Sequence, residues 1–446
     1  QSGATSGDVL CYNGTSLVLA AAAGGGGGAS EIDDLSDALT DTANGTIGLG
    51  STALDSLTAG SGNTAVGINA GTSLGTSYNN TLFGVQAMEY STSGSNNTAL
   101  GASALRNLSG GTYNIGIGSS VGSGSGISGS YNVLLGYHAA HNLTSGQHNI
   151  IMGCMAGKTL GSGSRNVAIG ELAMCTATAS SCSIAIGKSA GQNSATTSFQ
   201  IAIGYGAQKN STSDYSVSMG IQSLLSNSYE HNTAVGSYSL RNNTSGAHNT
   251  AFGSYALACN ITGQHNTAVG KCANRMNTTG QQNTTVGSMA LKANTEGGYN
   301  TAVGTCALAS NTTGSTNNAF GQCALASNTT GTINAAFGNF ALQLNTTGKC
   351  NVAIGGYNLC QNTTGSCNIA IGFRSLAGNT CANANVGIGF NAGCTITTGA
   401  NNLVLGYNAQ PTSATTSNEI TLGDANITKL RIPGLGSTDG HVLTYS

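Results

Sequence analysis

Cysteine and histidine are the residues of this sequence best suited to chemistry, and their spacing can be read directly. The 446 residues include 13 Cys and 7 His. The C-x2-C spacing of zinc sites is absent. Two C-x6-C pairs do occur, Cys175/Cys182 and Cys360/Cys367. Each pair has the same offsets from the glycines on either side, so both are candidate loop disulfides, the alternative being free or interchain thiols. Four histidines, His148, His231, His248 and His265, share one offset, five residues before a glycine. Other coils carry Tyr113, Tyr299, Gln282 or Arg165 at that offset, which marks an adaptable surface position more than a metal or anion site. No Ser/His/Asp set or paired carboxylates emerge, and Gly116-Ile117-Gly118 and Gly387-Ile388-Gly389 are by-products of a repeat, not dinucleotide fingerprints. Catalysis, a metal and a cofactor are therefore not expected.

Composition narrows the classes further. Charged residues make up 6% of the chain, far below the globular norm of about 25%. The net charge of −2 offers no basic field for nucleic acid or an anionic membrane. No apolar run is long enough for a transmembrane helix.

What positions these residues is an internal repeat. Glycines that close N-T-A-V-G-like blocks recur from Gly50 to Gly423 at intervals of 17 residues, with one of 18 and two of 16. The residue before each glycine (position −1) is apolar, as in Val269, Val286, Val303, Phe320 and Phe337. Position −2 is usually small, as in Ala251, Ala268 and Ala302, and position −4 is usually Asn, as in Asn249, Asn266, Asn283 and Asn300. Alternation over so few residues predicts a short strand with the −1 column buried. An Ala-Leu block follows (Ala256-Leu257, Ala290-Leu291, Ala307-Leu308, Ala324-Leu325) and predicts a second short strand, then a polar turn such as Asn311-Thr312-Thr313-Gly314. The expected fold is all-β: a repetitive parallel β-roll or β-helix solenoid of about 23 coils over residues 46–423, roughly 110 Å long at strand spacing. The −4 column suits an axial Asn ladder, though turn propensity alone also explains it. So thin a coil buries little apolar surface against the entropy of ordering it, which argues for more than one chain.

The repeat N-x-A-[VI]-G-x-x-A, at Asn266–Ala273 and Asn300–Ala307, resembles the head repeats of trimeric autotransporter adhesins. The longer unit with its N-T-T-G loop resembles repeats in the fibres of tailed phages and related viruses. The resemblance spans roughly residues 46–423 and implies a homotrimer, an extracellular location on a virion or cell surface, and a role in attachment.

The ends differ from the middle. Residues 1–29 hold a β segment and a Gly-rich joint at 24–28, and residues 30–45 are expected to form a short helix that trimerises the chain or caps the first coil, with Ser30 as N-cap and Ile32, Leu35 and Leu39 on one face. In residues 424–446, Gly440-His441-Val442-Leu443-Thr444-Tyr445 echoes Gly7-Asp8-Val9-Leu10-Cys11-Tyr12 and reads as a cut module, with more chain expected beyond Ser446; the start at Gln1 points to a processed product.

Two functions follow. The first is an adhesive fibre that contacts a cell-surface glycan or other receptor through its polar loops; there the irregular coils with Asp214, Tyr215, Tyr229 and Glu230 are the candidate contact site. The alternative is ice binding by the in-register Thr312-Thr313, Thr329-Thr330 and Thr346-Thr347. N-x-[ST] sequons at Asn260, Asn277, Asn311, Asn328, Asn345 and Asn362 are potential glycan acceptors in exposed loops, though loop chemistry explains them without sugar.

Overall fold

A strand of three residues is too short to stand alone, and here each one is stabilised by the coils above and below it. The computed structural model describes residues 9–12, 17–20, 38–41 and 44–427, apart from 125 and 195. Strands β1 (Val9–Tyr12) and β2 (Leu17–Ala20) pair antiparallel. Strand β3 (Ala38–Asp41) pairs antiparallel with β4 (Thr46–Leu49), which begins the repeat. The helix expected over 30–45 is therefore corrected at Ala38–Asp41, where backbone pairing to the first coil holds the chain extended; residues 30–37 lie outside the described residues.

From β4 onward every coil contributes one strand, and within each of two units each strand pairs parallel and in register with the next, as Thr284–Val286 does with Thr301–Val303. The chain divides into two compact units, 1–265 and 266–446. Among the described residues the first holds thirteen such strands, β4 to β16 (Thr250–Phe252). The second holds ten, β17 (Thr267–Val269) to β26 (Ile420–Leu422). Each unit is a parallel β-solenoid.

The Ala-Leu block is not a second strand. Its leucine is left-handed (Leu291 φ 51°, Leu308 φ 51°), as is the residue at +2 (Met289 φ 58°, Cys306 φ 60°), and strand geometry is closed to both. The block is a turn whose N–H groups point along the stack: Leu308 N donates to Ala324 O (2.9 Å) and Cys306 N to Ser288 O (3.0 Å). A third left-handed residue sits at −5, such as Tyr299 at φ 60°. Each such residue costs on the order of 1–2 kcal/mol, which the repeated axial hydrogen bonds offset. Position 0 tolerates only glycine. At Gly287, φ is +135° and an added Cβ would lie 2.5 Å from Gly304 O.

The interior is narrow, and its facing reverses the expectation for the strand. The central −2 residue points inward: Ala251, Ala268 and Ala302 are fully buried. The −1 column points outward, with Val286 and Phe337 each 40% exposed. Opposite the small −2 residue the interior is filled by Leu at +4, as at Leu291, Leu308 and Leu325. Volumes compensate where the pattern changes. Ile151 at −2 faces Gly157 at +4, where an added Cβ would approach Ile151 Cδ1 to 3.2 Å, and Leu134 is matched by Ala140.

Candidate interaction surface

Two buried asparagine columns hold the coils of the second unit closed from Asn277 to Asn379 and present their outer faces. In the −4 column, Asn300 N donates to Asn283 Oδ1 (3.0 Å) and Asn317 N to Asn300 Oδ1 (3.0 Å). Asn283 in turn donates from both N and Nδ2 to Asn266 Oδ1 (3.0 and 3.1 Å). In the first unit the same ladder runs through Asn249, whose N donates to Asn232 Oδ1 (2.9 Å). A second ladder stands at +7, where Asn311 Nδ2 donates to Asn294 Oδ1 (2.8 Å) and Asn328 Nδ2 to Asn311 Oδ1 (2.7 Å). The two columns meet on one carbonyl: Gly297 O accepts from Asn283 Nδ2 and from Asn294 Nδ2, each at 2.9 Å. Every asparagine in these ladders is fully buried and hydrogen-bonded, as such groups must be.

The +7 column contains the sequon residues, so the expectation of exposed glycan acceptors is corrected. Asn260, Asn277, Asn311, Asn328, Asn345 and Asn362 are all 0% exposed. Their amide nitrogens, as at Asn311 and Asn345, are used inside the stack. The polar N-T-T-G letters read as surface; the cue to an inward role was the constancy of the Asn itself, eleven residues after the −4 Asn, while the residue just before it varies.

With Asn, Ala and Leu turned inward, the strands show solvent a face built from positions −3 and −1. Phe83 is 58% exposed, Phe320 37% and Ile354 44%. None of these positions carries a charge in any described strand of the repeat. Phe320 and Phe337 stack along it with ring centroids 5.0 Å apart.

Aromatic ladders flank this face. At −5 in the first unit, Phe199, Tyr215, His231, His248 and His265 form a continuous stack with centroids 5.0–5.6 Å apart. Of the binding candidates, Tyr215 lies in this ladder. Asp214 and Glu230 occupy neighbouring −6 positions beside it: Asp214 Oδ1 accepts from Ser198 N (2.8 Å), and Glu230 Oε2 is 3.6 Å from His231 Nε2. Tyr229 is half exposed on the same edge. The two 16-residue coils here keep strand register, Val217–Met219 pairing with Ile201–Ile203 and with Thr233–Val235. Their interior, however, is polar. Gln208 replaces the +4 leucine, fully buried, with Nε2 donating to Ser216 O (3.1 Å).

The candidate disulfide partners stand unbridged. Cys360 is half buried, its Sγ donating to Ala377 O (3.7 Å), and burial pushes its thiol pKa up. Cys367 is exposed in the −5 column, and the chain between the two turns inward through buried Asn362. Cys175 is buried, with its pKa likewise raised by burial, whereas Cys182 is only partly buried at −5. Among the described residues, no group of three or more His, Cys, Asp or Glu is placed to hold a metal ion, and no helix is long and apolar enough to cross a membrane.

The class that this geometry defines is the parallel β-solenoid repeat protein, with an uncharged sheet face and ladder-lined edges. No family model, curated protein or solved structure matches the chain.

Proposed function

We propose that the protein is a structural, adhesive fibre: chains associate as a homotrimer through their sheet faces, and the assembly attaches to glycans or another receptor outside the cell, on a virion or a cell surface. The observation that carries this reading is the uncharged apolar face at −3 and −1. At two partly exposed side chains per coil it amounts to on the order of 1,000 Å² in each unit, against about 800 Å² per partner in a standard interface. A second copy is the occupant that matches it best, because it brings the same periodic, uncharged surface at the same 4.7–4.9 Å spacing. Small side chains in the face, such as Ala335 and Thr301, leave room for close approach.

Phe337→Asp tests the self-association. The side chain points outward, so the fold should survive with its β signal unchanged in circular dichroism, while light scattering should report dissociation of a wild-type trimer to monomers. A wild-type protein that is a stable monomer, or an unchanged trimer in Phe337→Asp, would overturn the interface. Attachment is tested separately by binding of the wild-type protein to glycan-coated and bare surfaces; no preference for either removes the adhesive role.

Ice binding has less support. The hydroxyls of Thr312, Thr329 and Thr346 donate to Thr329 O (3.1 Å), Thr346 O (3.1 Å) and Thr363 O (3.0 Å), which commits one of the two threonine ranks to the stack.

A further inference from the structure

In a stack of equivalent coils, a residue's nearest lateral neighbour is its counterpart 17 positions away. Cysteines in the same column are therefore neighbours, whatever their separation in sequence. The cysteine positions give two such pairs in adjacent coils: Cys306/Cys323 at +2 and Cys350/Cys367 at −5. Within each pair the backbones match. Cys306 and Cys323 have φ of 60° and 54°, and Cys350 and Cys367 have 56° and 60°. Axial hydrogen bonds align them, from Cys323 N to Thr305 O (3.0 Å) and from Cys367 N to Lys349 O (2.9 Å). Ring pairs in the same columns give the lateral spacing. Phe340 and Tyr357 at +2 are 5.1 Å apart, and His248 and His265 at −5 are 5.0 Å apart. Disulfides span Cα separations of about 4.4–6.8 Å, so one coil step is the right length.

We infer that these two pairs are sites of axial disulfide formation, Cys306 with Cys323 and Cys350 with Cys367, each fastening a coil to the next. The reaction needs an oxidant of the small-molecule disulfide class. One cysteine thiolate attacks a sulfur of that disulfide, forming a mixed disulfide and releasing one thiolate. The neighbouring cysteine, deprotonated, then attacks the protein-side sulfur and releases the second. Two protein thiols lose two protons and two electrons, and one small disulfide becomes two thiols. The pairs differ in readiness. Cys350 and Cys367 are exposed. Cys306 and Cys323 are partly buried, and burial, followed by the adjacent Cys306 thiol, raises the pKa of Cys323. The exposed pair closes first, since exchange proceeds through the thiolate.

The experiment treats the full-length protein with oxidised glutathione, blocks residual thiols, digests without reduction and maps peptides by mass. The expected result is a loss of two hydrogens in the peptides containing Cys306/Cys323 and Cys350/Cys367, the second pair faster, with the chain still migrating as a single polypeptide on a denaturing non-reducing gel. Cys360→Ser separates this from the loop pairing, because the bridge in its peptide persists if Cys350 is the partner of Cys367 and vanishes if Cys360 is. Loss of the bridge in that variant, alkylation of all four thiols after oxidation, or covalent multimers in place of the intrachain bridges would each overturn the assignment. Circular dichroism of each variant shows whether the fold is kept, and Cys350→Ser, an exposed position, serves as the reciprocal control.

Discussion

The two units close the same corner of the coil in different ways. Over the earlier coils of the first unit the +7 position is commonly apolar, with Leu74, Leu108, Leu143 and Leu160 all fully buried, and only its last three coils carry Asn there, at Asn227, Asn243 and Asn260. In the second it is Asn from Asn277 to Asn379, a ladder of amides that also accept or donate along the axis. The Gly at +10 shows the difference locally. Gly146 O accepts only the −4 amide of Asn132 (3.0 Å), whereas Gly314 O accepts both Asn300 and Asn311 (2.9 Å each). A leucine corner needs nothing from its neighbours but volume. An amide corner is correct only if every coil supplies its link, so the second unit trades tolerance for directional bonding.

Exchanging the two solutions should produce the largest effects. Asn311→Leu strands Asn294 Oδ1, Asn328 Nδ2 and half of the Gly314 O partnership, and is expected to destabilise the second unit by about 3–5 kcal/mol. Leu143→Asn places an unpartnered amide beside Leu160 and removes apolar burial, at a similar cost of about 3–5 kcal/mol in the first unit. Chemical denaturation combined with hydrogen-exchange mass spectrometry reads each unit separately. If either exchange is tolerated, the corners are interchangeable and the contrast is superficial.

A smaller effect sharpens the comparison. The −4 ladder is common to both units, so Asn149→Ala and Asn300→Ala should cost about the same, roughly 2–3 kcal/mol each. The backbone N of each donates to the preceding amide oxygen, Asn149 N to Asn132 Oδ1 and Asn300 N to Asn283 Oδ1, and each side-chain Nδ2 donates to a glycine carbonyl, Gly163 O and Gly314 O. A clear inequality by hydrogen exchange would show that the +7 chemistry alters the load carried by −4.

The smallest effect is that of pH. The first unit contains His138, which burial holds below the usual imidazole pKa, with His141 (ring centroids 4.6 Å away) and Lys158 acting in the same direction. The described second unit contains no histidine. A lowered folded-state pKa means that the unfolded chain binds the proton more readily. The His138 contribution is therefore complete above the ordinary imidazole pKa of 6.5 and is lost as pH falls below it toward the folded value. Between pH 7 and 5, exchange protection should weaken in the first unit by less than about 1.4 kcal/mol per pH unit and hold steady in the second. Equal weakening in both would remove His138 as the cause.

The repeat was legible in the sequence because position 0 has a single steric solution. Gly with φ near +135°, backed by the next coil's carbonyl, admits no substitute, so it marks every coil. The facing of the strand was not legible. Thr-Ala-Val alternates with period two whichever face is buried, and hydrophobicity favours placing Val286 inside. Coil width decides otherwise: with Leu291 already across the interior, only Ala or Thr fits at −2. The Ala-Leu turn was hidden for a related reason, since Leu at φ near 50° contradicts its usual preference and is held there by the axial hydrogen bonds of its neighbours. The surface candidates fared differently. Tyr215 gained a context in the aromatic ladder, whereas the sequon asparagines proved to be internal.

The single-carbonyl contact at each position 0 bears on how such a gene varies. A coil recognises only the one before and the one after it, and both present the same glycine track, so inserting or deleting 17 codons within a run of like coils leaves the glycine contact at each new junction unchanged. Unequal recombination between near-identical repeats would then lengthen or shorten a unit in steps of about 4.8 Å without disturbing its cross-section. Reach becomes a quantity that natural isolates can vary by copy number while the side chains that build the stack stay fixed.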